Sequence, residues 1–135
     1  VFLDGDWCWD ADPFQVTEET QVMVIRNICY LLNSFLHCTA YENIIFSWVM
    51  HEQAIIDSIT DRLDTDDCKV IKISLTTDEI NLRNRLTSDI ARGIRTADVI
   101  ERSLARIYMY SSLDNVKVDT SNKTIREIAD EIIAL

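Results

Sequence analysis

At 135 residues and 47% hydrophobic content, the chain can bury one sizeable core and is short for two, so a single domain (1–135) is expected. Its formal net charge of −10 excludes broad nucleic-acid binding, which calls for a basic face that releases counterions from phosphates. No apolar run approaches the roughly 20 residues that span a bilayer, and the N-terminus lacks a signal-peptide pattern; a soluble, cytoplasmic protein with no membrane partner is expected.

The opening VFLDGDWCW is an apolar run that ends in acids, as a buried strand does on reaching the rim of its sheet. TEETQVMVIRNICYLLNSFL follows with Val22, Ile25, Ile28, Cys29, Leu32 and Phe35 at helical spacing, Thr17 as cap and Glu18 and Glu19 in the first turn. ENIIFSWVM reads as a second buried strand, and EQAIIDSITDRL places Ile55, Ile56, Ile59 and Leu63 on one helical face. VIKISL is a third strand. Thr77 is expected to cap the helix through TDEINLRNRLTSDI, Gly93 to stop it, and Thr96 to cap a further helix through ADVIERSLARIYMY. NVKVD is a fourth strand, and TIREIADEIIAL closes the chain with an apolar stripe of Ile125, Ile128, Ala129, Ile132 and Ile133.

Strand followed by helix, repeated with no hairpin signal, predicts an α/β fold with a parallel sheet covered by helices. In such sheets ligands bind beyond the carboxyl ends of the strands. Those positions are polar here: Asp4, Asp6 and Trp7; His51 and Glu52; Thr76, Thr77 and Asp78; Asp119, Thr120, Ser121 and Asn122. In Asp4-Gly5-Asp6 the glycine lets the backbone turn closely while two carboxylates reach one cleft, where they could hold Mg²⁺ through water and accept a hydroxyl proton; the same residues also make an ordinary polar turn. His51 is either a general base or a satisfied cap at a helix start. Trp7 and Trp48, each near a strand's carboxyl end, are pocket candidates or rim packing.

Six of the thirteen basic residues, all arginine, fall between Arg83 and Arg106. Acids among them favour a solvated face, yet arginine's planar, always-charged fork also suits a transferring phosphoryl group. The four cysteines include no Cys-x-x-Cys pair, so free thiols are expected rather than a metal cage. No G-x-S-x-G elbow, Gly-rich dinucleotide fingerprint or G-x-x-x-x-G-K-[ST] loop occurs in the 135 residues.

With VFLDGDWCW, the LRNRL helix, ARIYMY and VDTSNKT in view, the chain resembles the small-molecule and nucleoside kinases of the P-loop superfamily, the shikimate-, gluconate- and adenylylsulfate-kinase relatives in particular. The resemblance implies a nucleotide-kinase-like domain that begins after its first βα unit, a strand, phosphate-binding loop and helix of about 20 to 30 residues, with the loop roughly 20 residues ahead of Val1. It implies ATP and Mg²⁺ as cofactors and a small metabolite or nucleoside as substrate. Asp4 would help place the metal and Asp6 would orient or deprotonate the acceptor. The resemblance further implies a lid at about 91–110 carrying Arg95, an arginine at Arg106 that faces substrate near Tyr110, and a loop from Asp119 to Asn122 lying against adenine. Ile107 stands where that family often has proline. The alternative is a non-catalytic α/β binding or interaction module.

Overall fold

The hydrophobic pattern alternates between extended and helical periods along the chain, and strands and helices form in that order. The computed structural model describes all residues from Val1 to Leu135. They divide into two compact units, Val1–Lys69 and Val70–Leu135, each described by itself.

In the first unit, β1 (Phe2–Asp4) runs into a 3-10 turn at Gly5–Trp9; α1 (Glu18–Leu36), β2 (Ile45–Ser47) and α2 (Gln53–Thr60) follow. β1 and β2 pair in parallel, with Leu3 opposite Phe46 and Asp4 opposite Ser47. Thr17 starts α1 as expected: its hydroxyl accepts from the Thr20 N–H while the Thr20 hydroxyl accepts from the Thr17 N–H, which satisfies two donors that the helix leaves open. Leu3, Cys8, Val24, Ile28, Cys29, Leu32 and Ile59 form one buried cluster, with Trp9, Phe35, Phe46 and Trp48 packed against it. Burying a side chain such as Ile28 is worth about 1.5–3 kcal/mol.

Most of the expected face of α1 is buried: Ile28, Cys29 and Leu32 lie in the core and Ile25 and Phe35 pack against it, while Val24 takes the place expected of Val22. Val24, Ile28 and Leu32, four residues apart, carry the core, and Val22 is 53% exposed. The sequence window held two overlapping apolar stripes, and the helix buries the one that meets α2. The second strand is also shorter and less buried than ENIIFSWVM suggested, since only Ile45–Ser47 is extended and Ile45 is 61% exposed.

In the second unit, β3 (Ile73–Thr76), α3 (Glu79–Ala91), α4 (Val99–Arg106), a 3-10 turn at Ile107–Ser112, β4 (Val116–Asp119) and α5 (Ile125–Ile133) follow in order. β3 and β4 pair in parallel from Ile73 opposite Val116 to Thr76 opposite Asp119. The α/β class and the parallel pairing therefore stand, with the four strands shared between two two-stranded ladders.

Two caps differ from expectation. Asp78, not Thr77, caps α3, because its carboxylate accepts from the Asn81 N–H at 2.7 Å; Thr77 lies one residue too early. Thr96 donates its hydroxyl to the Asp98 carboxylate instead of capping α4. Gly93 stops α3 as expected, just past its last turn at φ +71°, a conformation that glycine adopts without strain. α5 carries a Thr124/Glu127 capping box, yet its apolar stripe is largely bare: Ile125 is 87% and Ile133 81% exposed. No helix is long and apolar enough to cross a membrane.

Candidate functional site

Both parallel ladders end, at their carboxyl ends, in polar turns. In the first unit Asp4 accepts the Asp6 N–H on Oδ1 at 3.0 Å, which closes the turn and fixes the start of the 3-10 segment. Trp48, just beyond β2, donates its indole Nε1–H to Asp6 Oδ1 at 3.0 Å. Gly5 is required beneath it, since a Cβ there would come within 2.3 Å of Trp48 Cγ. Asp4, Asp6 and Trp48 are thus brought together, and each carboxylate keeps its second oxygen outside these bonds.

The other candidates of this unit are placed differently. Trp7 meets Phe2 edge-to-face at 5.7 Å and is 63% exposed. His51 holds a buried Nδ1 with no hydrogen-bond partner, and its Nε2 is 3.6 Å from Glu52 Oε1. Burial, reinforced by the charge of Asp4, pushes the Cys8 thiol up, so it stays protonated beneath the turn. All four cysteines are free; Cys8 and Cys29 are buried.

In the second unit the loop after β4 is bound tightly to the loop after β3. Thr120, only 5% exposed, donates its N–H and hydroxyl to the Thr76 carbonyl at 2.7 and 2.9 Å. Ser121 donates both its N–H and its hydroxyl to Asp119 Oδ1, and its hydroxyl oxygen accepts the Asp78 N–H at 2.9 Å. Asn122 takes a left-handed conformation, φ +55°, which asparagine tolerates and which redirects the chain toward α5. The Ser121 bonds hold Asp119 below the usual carboxylate range, and those from Asn81 do the same for Asp78.

Arg95 and Arg106 are differently engaged. Arg95 pairs with Asp89 at 3.5 Å on the C-terminal part of α3. Arg106 ends α4 and lies near Tyr110, whose hydroxyl is pushed up by burial and partly drawn back by the Arg106 charge. The arginine that reaches the Asp119–Asn122 loop is Arg85. Its guanidinium donates to the Thr120 hydroxyl at 2.9 Å and to the Thr120 carbonyl at 2.6 Å. Sequence reasoning counted Arg85 only within the arginine cluster, because nothing in LRNRL distinguishes the arginine that folds back on a loop from its neighbours.

A magnesium ion is commonly held through one or two carboxylates, with water and phosphate oxygens completing its octahedron. The free oxygens of Asp4 and Asp6 suit that mode. No group of three or more His, Cys, Asp or Glu side chains converges as an all-protein cage would require. Compared with protein-family models, with curated proteins and with solved structures, the chain has no significant match.

Proposed function

We propose that this chain serves an ATP-dependent phosphotransferase of the P-loop kinase type, moving the γ-phosphoryl group to a hydroxyl or phosphate of a small metabolite, nucleoside or nucleotide. The observation that carries the reading is the Asp6 carboxylate at the carboxyl end of a parallel ladder, oriented through one oxygen by Trp48 and open at the other. That is the place where open α/β sheets bind ligands, and the form a proton acceptor for a hydroxyl takes.

In the proposed reaction the acceptor oxygen bonds to the γ-phosphorus as its proton passes to Asp6, the β,γ-bridging P–O bond breaks, and ADP leaves. Mg²⁺, held by Asp4 through water, would neutralise charge on the phosphates. In the first unit Trp48 is a proposed substrate-side residue; in the second, Arg95 and Arg106 are the proposed lid and substrate arginines, with Tyr110 near Arg106. Arg95 would exchange Asp89 for phosphate oxygens, an exchange made easy by the exposure of that pair. Asp119, Thr120, Ser121 and Asn122 form the proposed nucleotide-side loop, its shape set by Arg85 and Thr76.

The reading requires backbone donors around the phosphates, and the 135 residues include no G-x-x-x-x-G-K-[ST] segment to supply them. Phosphotransfer is therefore proposed of a chain that carries such a loop. The test is ATP binding and Mg²⁺-dependent ATP consumption by the 135-residue chain and by one extended upstream, screened against small hydroxylated metabolites and nucleosides. Binding and turnover in the extended chain, with Asp6→Asn lowering turnover by about 10²-fold or more, is the expected outcome. Absence of ATP binding in both sinks the kinase reading and favours the interaction module.

A further inference from the structure

The first unit holds thirteen acidic residues and only three basic ones, Arg26, Arg62 and Lys69. Two of those three line one open cleft of about 510 Å³, together with Val22 and Cys29. Arg26 stands on α1 one turn after Val22, and Arg62 follows the end of α2. Neither forms an ion pair, whereas helical arginines of the second unit have a carboxylate four residues away: Arg83 with Glu79, Arg102 with Asp98, Arg126 with Asp130. No acid lies three or four residues from Arg26 on its helix.

The cleft is also built to hold its shape. Asn33 on α1 donates to the Arg62 carbonyl at 2.9 Å and accepts the Asp64 N–H at 2.9 Å, which pins the backbone around Arg62 against α1. His37 occupies the Asp64 carboxylate at 2.9 Å, and Asp61, the acid adjacent to Arg62 in sequence, forms no ion pair with it. Cys29 sits buried at the cleft, its thiol directed to the Ile59 carbonyl at 3.9 Å. Burial raises that thiol above its ordinary range while Arg62 partly opposes the shift, which leaves it a neutral wall rather than a nucleophile.

We infer that this cleft is an anion site for the phosphate group of a phosphomonoester, held between the Arg26 and Arg62 guanidiniums with its organic part against Val22. Two fixed positive charges match a group carrying about −1.5 to −2 at neutral pH, and guanidinium forks match its oxygens, whereas a carboxylate satisfies one fork and half the charge. The site lies wholly in the first unit and does not depend on the kinase reading.

The test is an NMR titration of the ¹⁵N-labelled 135-residue chain with phenyl phosphate, inorganic phosphate and benzoate, following the side-chain Nε–H signals of Arg26 and Arg62. Saturable shifts with phenyl phosphate, weaker ones with inorganic phosphate and little response to benzoate are expected. Arg26→Gln and Arg62→Gln should each weaken phenyl phosphate binding at least about tenfold, the usual scale for losing a charge-assisted hydrogen bond. Arg83→Gln should change nothing, and an unaltered amide spectrum away from the cleft will confirm that each variant folds. Unmoved signals, benzoate binding as tightly as phenyl phosphate, or wild-type affinity in both glutamine variants overturns the proposal.

Discussion

The two units are of nearly equal length and are stabilised by different means. Val1–Lys69 carries the whole net charge of −10 and a contiguous apolar cluster around Ile28. Val70–Leu135 has ten acids and ten bases, buries only Leu86, Val99, Leu113 and Val118 among its apolar residues, and ties its strand ends with the Asp78, Arg85, Thr120 and Ser121 network. The contrast teaches that one chain can stabilise similar parallel ladders either by apolar packing that overcomes charge repulsion, or by satisfied polar bonds that need charge balance. Candidate chemistry sits at the same end of both ladders.

The sharpest way to break this comparison is to truncate one apolar residue in each unit. Ile28→Ala should cost the first unit about 2–5 kcal/mol, read by denaturant unfolding, because it opens a cavity in a filled cluster. Ile133→Ala on the bare face of α5 should change stability by less than about 0.5 kcal/mol. A comparable loss from both would show that the second unit also depends on packing at α5. Next in size, Gly5→Ala should destabilise the first unit by about 1–3 kcal/mol and shift the Trp48 indole N–H resonance, since the added methyl group displaces the ring from Asp6.

The smallest expected effect separates the units by pH. Asp78, Asp119 and Glu127, all in the second unit, have folded-state pKa values held below the ordinary carboxylate range, chiefly by hydrogen bonds from Asn81, Ser121 and Thr124. A lowered folded pKa means the unfolded chain binds the proton more readily. The stabilisation is therefore present above the ordinary carboxylate range and disappears as pH falls through the lowered values. The amide protection factor at Val118, taken against the intrinsic exchange rate at each pH, should fall on acidification, and Asp78→Asn with Asp119→Asn should flatten that dependence. In the first unit mild acidification relieves self-repulsion, so the protection factor at Ile28 should rise over the same initial steps.

Much of the architecture was legible in the sequence, for reasons tied to particular residues. Thr17 and Gly93 mark helix ends through local backbone chemistry, and the strands following Asn43 and Val70 stand out from the helices around them as short β-branched runs. What could not be read was set by tertiary contact. The choice between Val22 and Val24 as the core-facing residue depends on where α2 lies, and the choice between Thr77 and Asp78 as cap depends on one residue of strand length. At the candidate site, the polar positions after each strand were legible from the parallel-sheet rule. The pairing of Trp48 with Asp6, and of Arg85 with Thr120, was not, since each partner is more than 30 residues distant in sequence.

The Trp48–Asp6 bond also makes the first unit an optical instrument. Any ion or hydroxyl that draws the Asp6 carboxylate toward itself must compete with the indole N–H, and an indole that loses a charged acceptor changes its emission. With Trp7 exposed on Phe2 and Trp9 packed at the core cluster, replacing both by phenylalanine in one variant would leave Trp48 as a label-free reporter. Occupancy of the carboxylate turn would then be readable in a cuvette before any product is known.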